Sequence, residues 1–282
     1  MGMNQIKDQV FRLLPLSKQR QLLYKRKHGR SLSRNPERFT EKIQHRIIHD
    51  RRDMIARGGD KLSMKEVATS ATRLAEVPQT LWAGTILADA MDIDFGGEWV
   101  LKPVIGTGYA VFGSGTLRAS GVDIAAANAA KEAMPALVRG EWAYSQARAG
   151  FLIERRIETL DGLSPNDYRF FAFDGVVRVV QIDTPRASEV ERRFYLPDWT
   201  PLDVRQGGKR LAPVVRKPKM LDQMIAAASE IAAGYDFIRV DLYESQERVY
   251  FGEITPYPAS GLVPYDDDAF DIRLGSYWTL PG

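Results

Sequence analysis

The sequence predicts an α+β protein in which helices alternate irregularly with antiparallel strands. The Asp174-Gly175 pair is a strong signal for a tight turn between two apolar strands, and residues 237–243 and 249–255 have the alternation of a second hairpin. Helical periodicity is present at 60–75 and 221–233. Helices mixed with antiparallel strands fit an α+β fold better than a doubly wound parallel sheet.

The elements can be predicted in order along the 282 residues. Residues 4–30 are predicted to be helical with a break at Pro15, and a turn at 33–37 leads into a second helix through Ile48. The later elements are a helix at 60–75, an extended piece at 77–82, a strand at 99–102, a glycine-rich loop at 106–115, an alanine-rich helix at 123–138, a strand at 151–154, hairpin strands at 168–173 and 176–182, a helix at 221–233, the hairpin 237–255 and a loop tail at 256–282.

The amino-acid composition limits the kinds of catalytic and metal site that the chain can form. The hydrophobic content of 44% and charged content of 27% are ordinary for a soluble globular enzyme. Cysteine is absent, which excludes disulfides, thiolate nucleophiles and cysteine zinc sites. The three histidines all precede residue 50, so the body cannot build a Ser-His-Asp triad or a histidine-rich metal centre of its own. Carboxylates, lysines, arginines and backbone amides remain, and these suit Mg²⁺-phosphate chemistry.

Positive charge is concentrated at the N-terminus. Residues 1–52 contain 14 Lys and Arg and 4 Asp and Glu, so their net charge is +10, while the whole chain carries +3. We expect these residues to form structural helices packed on the body; the alternative is peripheral contact with a membrane or an assembly complex. No nucleic-acid-binding motif accompanies the charge, so no nucleic-acid partner is expected. Without an 18-residue apolar run or a signal peptide, the protein is expected to be cytoplasmic.

The hairpin near the C-terminus contains the most informative residues. With an odd number of loop residues, predicted as the three residues 245–247, Asp241 and Glu253 lie diagonally on one face with Arg239. Two carboxylates that converge beside an arginine fit a Mg²⁺ site completed by nucleotide phosphates. The alternative is a cluster of ion pairs on a half-exposed sheet.

Other polar residues could contact a nucleotide. Lys102 ends a strand and is followed by the glycine-rich loop 106–115, whose backbone amides could approach phosphates, although it matches neither the Walker A nor the dinucleotide pattern. Glu154 could accept a hydrogen bond from an adenine amine or a ribose hydroxyl; alternatively it pairs with a neighbouring arginine. Asp167 and Arg169 could bind phosphate or an acidic substrate, or form an ordinary ion pair at a strand edge.

Taken together, these motifs resemble the ATP-grasp superfamily and, within it, the TupA-like branch named for teichuronopeptide biosynthesis. The resemblance covers roughly residues 30–265. The motifs that carry it are Asn35-Pro36, Phe39-Thr40-Glu41-Lys42-Ile43, Asp60-Lys61, Val100-Leu101-Lys102, Glu141-Trp142-Ala143-Tyr144, Ile153-Glu154, Asp167-Tyr168-Arg169, Phe170-Phe171-Ala172-Phe173-Asp174-Gly175, Arg239-Val240-Asp241, Phe251-Gly252-Glu253-Ile254-Thr255 and Pro258-Ala259-Ser260-Gly261. The Arg-x-Asp and Gly-Glu-Ile-Thr pair is also similar to the metal motif of D-alanine–D-alanine ligases.

The resemblance implies an ATP-grasp fold, in which two α+β subdomains with antiparallel sheets clasp the nucleotide. On this chain it implies a basic helical extension at 1–52, a small subdomain with the glycine loop at 53–150 and a large subdomain with the metal site at 151–282.

The resemblance also implies roles for individual residues. ATP would be bound by two lysines, by a loop that closes over the phosphates and by the strand end that holds adenine and ribose: Lys61, Lys102, Gly106, Thr107, Gly108, Glu154, Arg155 and Ile157. Arg169 and Arg239 would stabilise the γ-phosphate and an acyl-phosphate intermediate. Asp241 and Glu253 would ligate Mg²⁺, with Thr255 where the family usually has an asparagine.

The activity implied is that of an ATP- and Mg²⁺-dependent carboxylate–amine ligase working through an acyl phosphate. The TupA-like branch further implies bacterial surface polysaccharide biosynthesis, with an amino acid or amine joined to a sugar acid. The partners would then be a small-molecule or glycan carboxylate and an amine. Two alternatives remain open, namely a non-catalytic nucleotide-binding scaffold and a kinase that stops at phosphoryl transfer.

Overall fold

The computed structural model describes residues 11, 13–106, 108–137, 140–159, 165–186 and 189–281. Its strands form two antiparallel sheets, and helices contact both of them. This architecture confirms the predicted α+β fold class. Over the described part of the chain, every helix is too short or too polar to cross a bilayer.

The helices follow the predicted order closely. They are α1 (Leu16–His28), α2 (Phe39–His49), α3 (Asp53–Arg57), α4 (Lys61–Ala71), α5 (Ile124–Leu137), α6 (Trp142–Ser145), α7 (Leu221–Ile231) and α8 (Asp268–Ser276). The predicted N-terminal helix appears as α1, and residues 1–10 lie outside the described residues. The loop predicted for 256–282 is wrong where α8 forms, because Asp267 caps that helix and Phe270 and Leu274 are buried one turn apart.

The smaller sheet has four strands in the order β1 (Thr80–Gly84), β4 (Phe151–Arg155), β2 (Glu98–Pro103) and β3 (Val111–Ser114). Its core contains Trp99, Leu101 and Phe151, all inaccessible to solvent. Because β4 is hydrogen-bonded between β1 and β2, residues 151–155 belong to this sheet, although the predicted large subdomain begins at residue 151.

The larger sheet has six strands. Their order is β10 (Arg248–Thr255), β9 (Phe237–Ser245), β5 (Asp167–Phe173), β6 (Val176–Arg186), β7 (Glu189–Tyr195) and β8 (Pro201–Leu202). The predicted turn between β5 and β6 forms at Asp174 and Gly175, both with positive φ. β7 was not predicted.

Helices cover one face of this sheet and part of the other. On one face, α7 contacts β5, β6 and β9, and its Met224 and Ile231 are buried there. On the opposite face, Phe39 of α2 packs edge-on against Phe237 of β9, and Trp278 contacts the same ring. The part of this second face beyond the aromatic cluster is left for polar side chains.

The turn between β9 and β10 differs from the prediction. The predicted three-residue loop is wrong, because only Gln246 and Glu247 separate the two strands. Both residues have positive φ, of 50° and 60°, as in the turn type whose twist matches a two-residue hairpin. With an even loop alone, Asp241 and Glu253 would not share a face.

A β-bulge at Gly252 restores the shared face. Phe251 pairs with Leu242 and is buried in the core, whereas the next paired residue, Glu253, stands directly opposite Asp241. The two carboxylates are therefore direct cross-strand neighbours, and their predicted diagonal placement is wrong. Phe251, although two residues before Glu253, lies on the opposite face of the sheet for the same reason.

The bulge leaves no room for a side chain at position 252, which leads to a stability prediction. A Cβ atom there would lie 2.9 Å from the carbonyl oxygen of Asp241 and 2.8 Å from the ring of Tyr243. We expect Gly252→Ala to lower the free energy of unfolding by about 1–3 kcal/mol, measured by urea denaturation. Gly58→Ala is the control, since its nearest neighbour would be the Pro256 ring at 3.2 Å. Equal stability of the two variants would contradict this account of the bulge.

Candidate active site

Strand register brings the predicted catalytic and metal residues together. Asp241 of β9 lies opposite Arg169 of β5 on one side and opposite Glu253 of β10 on the other. Thr255 pairs with Arg239, two residues along the same strands. All five side chains thus share the face of the larger sheet that the aromatic cluster leaves open. Their roles stay predictions, but their proximity is a property of the fold.

Arg239 is at the centre of this group. Its guanidinium donates two hydrogen bonds to Asp241, of 2.7 and 2.6 Å, and contacts Glu253 at 3.2 Å. It also donates to the Thr255 hydroxyl at 3.0 Å, and that hydroxyl donates to Glu253. Asp241 is only 2% exposed, whereas the Glu253 side chain is 26% exposed. One end of the group is therefore buried and the other open to a ligand.

The electrostatics of the two carboxylates differ. Burial raises the pKa of Asp241 to about 8, against the opposing effect of the Arg239 guanidinium. For Glu253, the positive charges of Arg239, Lys61 and Arg169 outweigh burial and hold the pKa below its usual range. A cation bound beside the two carboxylates would favour the ionised form of Asp241.

The donor set fits a magnesium ion. It offers two carboxylates and a hydroxyl, which are the hard oxygen donors that Mg²⁺ prefers. Within the described ranges no three Asp, Glu or His side chains cluster as a complete protein-only metal site. In general, Mg²⁺ sites use one or two carboxylates and take the remaining ligands from phosphates and water. Asp241, Glu253 and Thr255 would be the residues that hold the ion.

An ion-pair network extends from this group across the sheet, and sequence reasoning missed part of it. Arg169 contacts Asp167 at 2.7 Å and Asp183 at 2.8 Å. Asp183 in turn forms a bidentate ion pair with Arg192. Asp183 lies opposite Asp167 on β6, and Arg192 lies opposite Asp183 on β7. Because β7 was not predicted, the register that places Arg192 opposite Asp183 could not be derived from the sequence.

The predicted nucleotide lysines approach from the smaller sheet and from α4. Asp60 caps the N-terminus of α4 by accepting hydrogen bonds from two backbone amides, which places Lys61 in its first turn. The Lys61 ammonium donates to the carbonyl of Gly106 in the glycine-rich loop. Burial lowers the pKa of Lys61 to about 8. Gly106 and Gly108 both have positive φ, and Thr107 lies outside the described residues.

Glu154 on β4 is the anchor for two lysines. Its carboxylate accepts hydrogen bonds from Lys102 and Lys65, both at 2.6 Å. Burial acts to raise the pKa of Glu154, but the two lysines outweigh it and keep the pKa below its usual range. The sequence analysis did not include Lys65 among the site residues, although it follows Lys61 by four residues and so lies on the same face of α4. The predicted contact of Glu154 with adenine or ribose stays a prediction.

Two cavities adjoin these residues. The smaller one, of about 110 Å³, lies between the sheets and is lined by Lys102, Glu154, Arg155, Ile157, Tyr243 and Phe251 among others. The guanidinium of Arg155 donates to backbone carbonyls of Phe95 and Gly96, so it braces the smaller sheet. The larger cavity, of about 370 Å³, is lined by Gly106, Arg169, Arg239 and Glu253, and by the turn 258–260.

Comparison with solved structures gives three examples of similar chains. The ATP-grasp ligase PsnB, solved with its minimal precursor, is 13% identical, with a TM-score of 0.38, and the match covers 72% of this chain and 53% of PsnB. D-alanine–D-alanine ligase from Bacillus anthracis is 15% identical, with a TM-score of 0.39 and coverage of 70% and 56%. The ADP complex of PurK, N5-carboxyaminoimidazole ribonucleotide synthetase, is 12% identical, with a TM-score of 0.41 and coverage of 72% and 46%. The chain therefore matches about half the length of each of these proteins.

Comparison of the sequence with family models and with curated proteins identifies the family. The search of curated proteins finds no match. The family model described as TupA-like ATPgrasp matches residues 41–279, which is most of the chain and includes both sheets and every predicted site residue. The resemblance inferred from the motifs is confirmed, and the chain belongs to the TupA-like ATP-grasp family.

Proposed function

We propose that the protein is an ATP- and Mg²⁺-dependent ligase that joins a carboxylate to an amine through an acyl-phosphate intermediate. The observation that carries the proposal is the convergence of Asp241, Glu253 and Arg239 beside Lys61 and the glycine-rich loop. Family membership supports ATP-dependent ligation in general. The finer setting, an amino acid or amine joined to a sugar acid in bacterial surface polysaccharide biosynthesis, is supported by the TupA-like branch alone.

The chemistry explains why this residue set suits the reaction. A carboxylate does not react with an amine at neutral pH, because oxide is a very poor leaving group. Phosphorylation of the carboxylate replaces oxide with phosphate as the leaving group. The protein must therefore bring two anions together, neutralise their charge and exclude water while the amine approaches.

Individual residues have distinct tasks in this proposal. Lys61 and Lys102 bind the nucleotide phosphates from the side of the smaller sheet. Arg169 and Arg239 stabilise the negative charge of the transferred phosphoryl group and orient the attacking carboxylate. Asp241 and Glu253 would hold Mg²⁺, which neutralises phosphate charge when bound. None of these tasks requires histidine or cysteine.

The experiment is an ADP-release assay with ATP, Mg²⁺ and a panel of uronic acids, each with and without amino acids. We expect ADP formation that depends on an acid and increases when the amine is added. Acid-dependent turnover that does not change when the amine is added would instead identify a kinase. Nucleotide binding without any turnover would identify a non-catalytic scaffold and overturn the proposal. The Asp241→Asn variant controls for contaminating ATPase activity.

The pKa of Lys61 gives a pH prediction for nucleotide binding. Since burial lowers this pKa to about 8, the charged fraction of Lys61 falls as the pH rises through 8. We expect the Kd for ADP to increase by up to about tenfold between about pH 7 and pH 9. Lys61→Arg should remove this dependence, because arginine stays charged throughout the range. An equally steep pH dependence in the variant would show that another group is responsible.

A further inference from the structure

The larger cavity has an uneven distribution of charge. Its described lining residues include three arginines, Arg169, Arg192 and Arg239, and two carboxylates, Glu141 and Glu253. Arg192 is paired with Asp183, and Glu253 is engaged with Arg239 and belongs to the proposed magnesium site. Glu141 is the lining carboxylate that stands outside the ion-pair network of the sheet.

Glu141 comes from a different part of the fold. It directly precedes α6 but makes no side-chain capping hydrogen bond to that helix. Its carboxylate lies near Ser260, which lines the same cavity, and within electrostatic range of Arg20. The residue is 7% exposed, so the carboxylate is largely removed from water while remaining part of the cavity wall.

Ser260 belongs to a turn whose backbone is held in an unusual conformation. Ala259 and Ser260 have φ of 49° and 57°, in the left-handed region that residues with a Cβ rarely adopt. The guanidinium of Arg20 donates to the Ser260 carbonyl at 2.6 Å and to its hydroxyl at 3.0 Å, and Gln44 donates to the same carbonyl. Helices α1 and α2 therefore fix the position of Ser260 in the cavity wall. α1 precedes the segment matched by the family model.

We propose that Glu141, with Ser260 beside it, binds the positively charged amine of the second substrate in the larger cavity. This inference rests on the proposed function, because it assumes that an amine enters the cavity beside the activated carboxylate. A carboxylate substrate is directed by charge toward Arg169 and Arg239. An ammonium group is directed toward Glu141, where it gains a charge-assisted hydrogen bond.

The environment of Glu141 supports a cationic ligand. Burial raises its pKa to about 7, although Ser260 and Arg20 act in the opposite direction. A bound ammonium would stabilise the ionised carboxylate and lower this pKa. Binding of the amine should consequently weaken as the pH falls below about 7, and this dependence should disappear when Glu141 is replaced by an uncharged residue.

The experiment compares two nucleophiles in the acid-dependent ADP-release assay. One is hydroxylamine, which is largely uncharged at neutral pH and traps acyl phosphates as hydroxamates, and the other is the amino acid of the panel that gives the highest turnover. For Glu141→Gln we expect the KM for the amino acid to rise by about tenfold or more. Hydroxamate formation and the KM for ATP should stay within about twofold of the unmodified protein. Glu132→Gln, on the exposed surface of α5, is the matched control.

Each result of this experiment either supports the amine site or overturns it. An unchanged KM for the amino acid, or an equal loss of both reactions, would overturn the amine site while leaving the proposed function intact. If Glu141→Gln fails to fold, Ser260→Ala is measured instead, and it should raise the KM for the amino acid without affecting hydroxamate formation. Partial recovery with Glu141→Asp, which restores the charge, would support the proposal. Failure of the unmodified protein to form ADP with any acid would remove the proposed function and the amine site together.

Discussion

Asp241→Asn and Glu253→Gln are each expected to lower the turnover rate by about 100- to 1,000-fold while the protein stays folded. The two carboxylates lie directly opposite each other in the β9–β10 ladder, and they are the proposed ligands of Mg²⁺. Each substitution keeps the shape of the side chain and removes one negative charge. The cation would then bind weakly, and the charge of the phosphates would no longer be neutralised.

Three measurements test this prediction. The turnover rate gives the size of the loss, and circular dichroism reports whether the fold is retained. The Kd for ADP, measured with and without Mg²⁺, should lose its dependence on the ion in both variants. Asp222→Asn, whose carboxylate on α7 is 89% exposed, is the control for removal of a negative charge. A near-normal turnover rate in either site variant would remove that residue from the metal site.

Arg239→Met is expected to lower the free energy of unfolding by about 3–5 kcal/mol above about pH 8, where the Asp241 carboxylate is ionised in the unmodified protein, in addition to abolishing turnover. The guanidinium donates one hydrogen bond to each oxygen of the Asp241 carboxylate, and Asp241 is almost completely buried. Removing the arginine leaves a buried carboxylate without its main partner. Breaking a buried ion pair on one side is costly for this reason.

A double variant distinguishes this explanation from a simple packing defect. In Arg239→Met with Asp241→Asn the unpaired charge is absent, so much of the lost stability should return, whereas turnover should not. The destabilisation of the single variant should also shrink as the pH falls below about 8, since burial raises the pKa of Asp241 to about 8, loss of Arg239 raises it further, and protonation removes the unpaired charge. If the double variant is no more stable than Arg239→Met, loss of packing is the larger effect.

Local sequence signals predicted much of the fold. The Asp174-Gly175 turn, the strand at 151–154 and the helix at 221–233 were correct, because each depends on turn chemistry or periodicity within a few residues. The helix α8 was missed because its short apolar spacing lies among Pro, Gly and Asp residues that are typical of loops. β7 was missed as well, and with it the ion pair between Asp183 and Arg192.

For the candidate site, too, local sequence patterns predicted some features and not others. The residue types in Arg239, Asp241 and Glu253, and their alternation along two strands, were sufficient to predict a shared polar face. The way in which that face forms was not predicted. A hairpin of two loop residues needs a compensating bulge, and only the packing of Phe251 into the core shows that the bulge lies at Gly252.

By itself, the sequence was sufficient to predict the fold class and the family, and it determines which residue types the candidate site contains, because residue identity and spacing are local properties. The tertiary structure alone decided which distant segments meet. It placed Arg20 of α1 against Ser260, 240 residues later, and it brought Glu141 into the wall of the larger cavity. Such contacts depend on how whole helices pack against a sheet, and no pattern within either segment contains that information.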